Sequence, residues 1–197
     1  TPLAVIQAGL PLHAGDAEAS MQGAVDEMKR LIATRLERAG SSARRTMAEP
    51  VPVEPQLKRV LESLHKVHSQ KMIRTAATIE DGLAFYGEKR DLLELMGNLL
   101  DNAFKYGWAT VRVAGGAIGR SRSRPGLWLT VEDDGPGIDE GQWDRLLQRG
   151  ARGDERVEGH GLGLAIVTEL VSAYGGTVSI AHSELGGARI RVEFPAN

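Results

Sequence analysis

Two glycine-rich runs, Asp133-Asp134-Gly135-Pro136-Gly137 and Gly159-His160-Gly161-Leu162-Gly163, constrain this chain more than any other feature. Glycine loses more conformational freedom on folding than any other residue. Clusters of it therefore mark places where the backbone turns sharply or closely approaches something else. The first run ends a strand-like stretch, Leu127 to Glu132, and the second opens a helix-like stretch, Leu162 to Tyr174. Upstream of both, Glu88 to Tyr106 reads as one long helix. At about 100° per residue, Glu94, Asn98, Asp101, Asn102 and Lys105 share one side of that helix. Leu92, Met96, Leu99, Leu100 and Ala103 share the other. An ordinary solvated face would show this split, but Asn is a weak helix former, and two of them one turn apart ask for a further reason. An Asn amide oxygen is a neutral hard ligand suited to magnesium, and a Lys can meet a phosphate.

Leu127, Leu129 and Val131 alternate with Trp128, Thr130 and Glu132, which puts Asp133 on the same face as the three aliphatics. A carboxylate on the covered side of a sheet is costly unless a donor meets it, and the exocyclic amino group of adenine is a suitable one. Gly135 and Gly137 would let the backbone turn and approach a flat ring. An Asp-Gly turn with an incidental acid is the competing reading. In the second run, successive glycines let several N–H groups converge on an anion at a helix N-terminus. The run lacks both the dinucleotide fingerprint and the Gly-Lys-Ser/Thr of a P-loop. Between the two runs lie Arg145, Arg149, Arg152 and Arg156. That composition fits an Arg-bearing lid over phosphates, and also a plain surface loop.

The chain has 197 residues, 42% of them hydrophobic, so it can build a substantial core. A net charge of -2 gives no general pull toward nucleic acid. With no cysteine, a disulfide scaffold and thiolate metal sites are excluded. No apolar run approaches the ~18 residues of a membrane span. Residues 1–45 read as two helices, one carrying Leu3, Ile6 and Leu10, the other Met21, Val25, Met28, Ile32 and Leu36 at near-heptad spacing. A homodimeric four-helix bundle would bury that seam, as would packing of the hairpin on its own domain. Gly40-Ser41-Ser42 reads as a hinge. Beyond it, Met47 to Val53 reads as an edge strand and Leu57 to Leu64 as a helix. Met72 to Ile79 and Leu83 to Tyr86 read as a hairpin around Asp81-Gly82, and Val111 to Val113 as a strand. Val178 to Ala181 and Ala188 to Phe194 read as a closing hairpin turning at Gly186-Gly187. The segregation of helices and hairpins predicts an α+β fold, a two-layer sandwich with a mixed sheet.

Taken together, Glu94-x-x-x-Asn98-x-x-x-Asn102-x-x-Lys105-Tyr106 resembles the N box of bacterial sensor histidine kinases of two-component systems. Asp133-x-Gly135-x-Gly137 and Gly159-x-Gly161-x-Gly163 resemble their two glycine boxes, and the phrase around Asn98 is most similar to the PhoQ-type branch. The resemblance implies a Bergerat (GHKL-type) ATP-binding sandwich over 46–197, with ATP and Mg2+ as its ligands. It implies that Asn98 ligands the magnesium, that Asn102 supports the phosphates, and that Lys105 contacts a phosphate. Tyr106 would line the pocket, Asp133 would bind adenine, Glu94 would polarise the incoming imidazole or act as base, and Arg149 and Arg152 would steady the γ-phosphate. Residues 1–45 would be a dimerisation and phosphotransfer hairpin, making a homodimer that serves a response regulator receiver domain. Thr1-Pro2-Leu3 matches the end of that family's H box, just past the acceptor His, and Thr1 falls where such kinases orient water for dephosphorylation. His13, His65, His68, His160 and His182 read as structural or solvated rather than as acceptors. The expectation is thus an ATP-binding portion without its own acceptor His, the cytoplasmic part of a parent anchored in a bacterial inner membrane. Another GHKL-type ATPase, or a nucleotide-sensing scaffold without transfer activity, remains the alternative.

Overall fold

The chain divides into two units, Thr1–Thr46 and Met47–Asn197. In the computed structural model, residues 49–119, 124–148 and 162–196 are described, all within the second unit. The helices and hinge expected between residues 1 and 45 lie outside the described residues.

Two short strands, β1 (Val51–Pro52) and β3 (Ala84–Phe85), pair antiparallel as a small separate sheet. Helix α1 (Val53–Val67) starts directly after Pro52, inside the stretch expected to be an edge strand. Pro55 lies in its first turn, where a missing N–H breaks no intrahelical bond. The main sheet holds β2 (Arg74–Ile79), β4 (Thr110–Ile118), β5 (Gly126–Asp133), β6 (Thr177–His182) and β7 (Ala188–Phe194). Their spatial order is β2-β4-β5-β7-β6, with β2 parallel to β4 and every other pair antiparallel. The crossover between β2 and β4 carries the long helix α2 (Lys89–Tyr106). Helix α4 (Leu162–Ala173) packs on α2, β6 and β7. The shared core joins Leu92, Leu95 and Leu99 of α2 to Val131, Ile190 and Val192 of the sheet and to Val167 and Val171 of α4. This is the two-layer mixed-sheet sandwich expected from the sequence.

Three elements depart from the sequence reading. The Asp81-Gly82 turn forms, with Leu83 N–H donating to Glu80 O (3.1 Å) and Gly82 at φ 74°, but it joins strands of different sheets rather than a hairpin. Leu83 and Phe85 are buried, and Phe85 packs against the rings of Tyr174 and Phe194 at 5.0 and 5.2 Å, so core packing takes β3 away from β2. Strand β4 runs well beyond Val113 because Gly115 and Gly116, which read as a loop, make room for Leu129 and Trp128 of the neighbouring strand. A helix, α3 (Glu140–Gln148), stands where no element was expected. Asp139 begins it by accepting the Gly141 N–H at 2.8 Å, a capping signal concealed by the arginine-rich composition downstream.

Both ends of α2 are held by side chains distant in sequence. At its start, the Tyr174 hydroxyl accepts the Glu88 N–H (3.1 Å) and donates to Asp91 Oδ2 (2.5 Å). Burial, reinforced by the Asp91 carboxylate, raises the Tyr174 pKa well above the ordinary phenol value. Among the described residues no helix is long and apolar enough to cross a membrane. Tyr174→Phe should lose about 1–3 kcal/mol of stability at neutral pH, measured by urea unfolding, because a buried acceptor and donor lose their partner. A raised folded pKa means that the unfolded chain ionises first. The contribution is therefore complete below about pH 10 and is lost above it, and the gap between parent and variant should narrow there.

Candidate functional site

The end of β5 builds the site. Asp133 is buried, as the alternation of Leu127, Leu129 and Val131 requires. Thr130 and Glu132 on the opposite face are buried as well, Glu132 by accepting from Ser183 Oγ (2.8 Å) and Arg189 (3.2 Å). Two backbone groups donate to Asp133 Oδ1, Gly135 N–H at 2.9 Å and Ala188 N–H at 3.3 Å. Among the described residues no donor meets Oδ2. Burial raises the Asp133 pKa, the two N–H groups pull it back, and the neighbouring Asp134 charge adds to the rise. Asp134 ends on the other side of the balance. Burial pulls its pKa up, but backbone N–H groups of Ala109, Thr110 and Trp108 outweigh that and hold it below the usual range. Its carboxylate accepts from Trp108 N–H (2.8 Å) and Ala109 N–H (3.0 Å), tying the exit of α2 to the exit of β5.

Asp133 faces a cavity lined by Leu99, Asn102, Ala103 and Tyr106 of α2, by Pro136, Gly137 and Ile138 after β5, and by Leu146, Leu164, Ala188 and Ile190. It is an apolar slot with one carboxylate at its end, a form suited to a flat heterocycle bearing an amino group. Gly137, at φ 76°, makes the turn at the rim. Gly135 has a different reason to be bare: a Cβ there would lie 2.3 Å from the Tyr106 carbonyl oxygen, so it serves the packing of two backbones rather than the approach of a ring.

Toward α4, Asn98 and Asn102 converge on Gly163. A Cβ on Gly163 would lie 3.1 Å from Asn102 Nδ2 and 3.4 Å from Asn98 Oδ1. Asn98 Nδ2 donates to the Glu94 carbonyl (2.8 Å), which leaves its oxygen for the gap beside α4. Lys105 is exposed, with its ammonium 5.4 Å from the Tyr106 ring centre, and Glu94 is exposed one turn before Asn98. The helix face read from the sequence therefore divides. Asn102 lines the cavity and Asn98 faces Gly163 beside it, whereas Asp101 turns away and pairs with His68 Nε2 at 2.9 Å. Thr1, Arg149, Arg152, Gly159 and Gly161 lie outside the described residues.

Gly187 went unrecognised in the sequence. Its N–H donates to Asp133 O (3.2 Å), and a Cβ on it would lie 2.2 Å from Asp133 Oδ1 and 2.5 Å from Asp133 O. A turn glycine next to Gly186 looks the same in sequence as a glycine that makes room for a carboxylate. Gly187→Ala should cost about 1–3 kcal/mol by overpacking at backbone atoms. Asp133→Asn keeps an acceptor for both N–H groups and removes a desolvated charge, so its urea midpoint at pH 7 should equal or exceed the parent's. With the folded pKa of Asp133 raised, the parent gains relative stability as pH falls, and the two midpoints should converge in acid.

Residues 87–197 match the family described as histidine kinase-, DNA gyrase B-, and HSP90-like ATPase. The sensor protein PhoQ of Escherichia coli strain K12 is 34% identical over 201 residues, an overlap covering 98% of this chain and 40% of that protein. This chain thus spans about two fifths of the curated relative's length. Among solved structures, the mycobacterial sensor histidine kinase MprB is 27% identical with a TM-score of 0.63, covering 76% of this chain and 98% of that one. The ATP binding domain of PrrB from Mycobacterium tuberculosis is 25% identical with a TM-score of 0.59, covering 75% and 96%. The chain belongs to the histidine kinase-, DNA gyrase B- and HSP90-like ATPase family.

Proposed function

We propose that this chain is the ATP-binding catalytic region of a two-component sensor histidine kinase, which passes the γ-phosphoryl group of ATP to a histidine for relay to a response regulator receiver domain. The observation that carries this reading is the Asp133 carboxylate: buried, with donors among the described residues on Oδ1 alone, at the end of an apolar slot. An adenine exocyclic amino group completes its hydrogen bonding. Leu99, Ala103, Val131 and Ile190 supply the apolar walls for the ring, and Tyr106 lines it.

Among the described residues no cluster of three or more His, Cys, Asp or Glu could hold a metal ion. A magnesium ion in this site would rest on the Asn98 amide oxygen and on phosphate oxygens, the mode that suits this cation. When bound, it neutralises charge on the phosphates. Asn102 orients the phosphate chain at the mouth of α4, together with the glycines Gly159, Gly161 and Gly163. Lys105 adds a cation at that edge, and Arg149 and Arg152 of the lid steady the γ-phosphoryl group. Glu94, exposed one turn before Asn98, polarises the incoming imidazole or acts as its base. Little covalent work falls to the protein, so positioning and charge account for most of the catalysis. Residues 1–45 are proposed as the dimerising hairpin, with Thr1 orienting the water that dephosphorylates the response regulator, in a parent anchored to a membrane.

Calorimetric titration with ATP, with and without magnesium, tests the reading. Asp133→Asn should weaken ATP by about 1.5–3 kcal/mol, the worth of a hydrogen bond to a charged group. Asn98→Ala should leave binding of ATP without metal nearly intact and remove its enhancement by magnesium. Equal ATP affinity of parent and Asp133→Asn would refute the adenine assignment.

A further inference from the structure

The last turn of α2 is one wall of the cavity, and it fits there with almost no slack. The Tyr106 carbonyl oxygen and the Gly135 backbone leave no room for a methyl group, and a Cβ on Gly107 would already touch Asp133 Cβ at 3.4 Å. Because the Tyr106 carbonyl abuts Gly135, whose N–H holds Asp133 Oδ1, a shift of this turn bears on both the Tyr106 wall and the Asp133 carboxylate.

A side chain outside the cavity grips this turn from behind. Lys71 Nζ donates to the carbonyl oxygens of Phe104 (3.2 Å), Lys105 and Gly107 (3.2 Å). These are the carbonyls that a helix end leaves without partners, at the negative end of its dipole. Lys71 closes the short 3-10 turn Ser69–Lys71, and the next residue, Met72, has φ 43°. Met72 is the only non-glycine residue with positive φ among the described residues, and its side chain is 86% exposed. No burial compensates for that conformation. What it accomplishes is a sharp reversal directly after Lys71, which sends Ile73 into the core while the ammonium stays against α2. Just before the turn, His68 pairs with Asp101 one helical turn above the lysine's carbonyls, so one corner of the chain holds α2 at two points.

We propose that Lys71 is a positioning residue for nucleotide binding: it fixes the Phe104–Gly107 turn so that Tyr106 and Asp133 form one preorganised adenine slot. This rests on the nucleotide reading above. Lys71 touches no ligand and acts through the backbone carbonyls alone.

The test separates positioning from plain stabilisation. Lys71→Met keeps the aliphatic stem and removes the donor, Lys71→Arg restores a cation, and Tyr174→Phe loosens the other end of α2 as a control. ATP affinity is read by calorimetry well below the unfolding temperature, and hydrogen exchange of the Gly107, Trp108 and Ala109 amides is read without nucleotide. Lys71→Met should bind ATP about five- to tenfold more weakly, in line with a cation at a helix C-terminus. Its three amides should exchange faster, Lys71→Arg should recover most of the affinity, and Tyr174→Phe should bind like the parent. If Lys71→Met binds ATP as the parent does, or no more weakly than Tyr174→Phe, the proposal is overturned while the nucleotide reading stands. Unchanged amide exchange overturns it as well. A parent chain that binds no adenine nucleotide overturns the nucleotide reading, and this proposal with it.

Discussion

A carboxylate buried at the end of a central strand sets the terms for everything around it. Asp133 can be desolvated only because backbone groups reach it, and they reach it only because the surrounding chain has no side chains in the way. Gly135 brings one N–H and Ala188 another, while Gly187 passes so close that a methyl group there would overlap the carboxylate oxygen. The Gly107 and Tyr106 backbone closes the third side. Three segments far apart in sequence thus meet at one side chain. The hairpin between β6 and β7 and the exit of α2 must be built correctly before the site exists. The geometry of the slot and fold closure are in this sense a single constraint.

That constraint was half legible in the sequence. Alternation along Leu127, Leu129 and Val131 placed Asp133 on the covered face, because period two is a local property of any strand. The amphipathic split of α2 was legible for the same reason. What the sequence concealed were relationships that depend on which distant segments meet. Gly187 reads as a turn residue, Lys71 as a surface lysine, and Asp101 as a member of the same polar row as Asn102. The hairpin expected around Asp81-Gly82 failed on a related point. The turn chemistry was right, but a turn fixes only its own four residues, and the burial of Leu83 and Phe85 decided where the following strand went. Helix α3 was missed because arginines and glycines just beyond it outweighed the cap at Asp139 and the apolar Trp143 and Leu146.

Helix α2 behaves as a beam supported at both ends. Its N-terminus has no side-chain cap of its own, and Tyr174 from the end of α4 supplies the missing acceptor. Its C-terminal carbonyls converge on Lys71. Tyr174 anchors α4 as well as α2, since its ring packs between Phe85 and Phe194. The two helices that carry Asn98, Asn102 and Gly163 are therefore referenced to the same aromatic cluster.

The choice of amides over carboxylates at positions 98 and 102 follows from charge. Asp101, Asp133 and Asp134 already place three acids around the C-terminal half of α2, with Glu94 one turn before Asn98, and burial and the neighbouring charge together raise the pKa of Asp133. A carboxylate at position 98 or 102 would add repulsion toward a polyphosphate and toward Asp133. It would attract a metal more strongly but would hold it in the absence of phosphate. Under the proposed nucleotide reading, a neutral amide would offer a metal an oxygen without adding charge, so that phosphate oxygens would have to complete the metal's shell. The Asn98 hydrogen bond to the Glu94 carbonyl sets which half of that amide faces the gap. A poor helix former is tolerated there because packing, rather than propensity, holds α2 together.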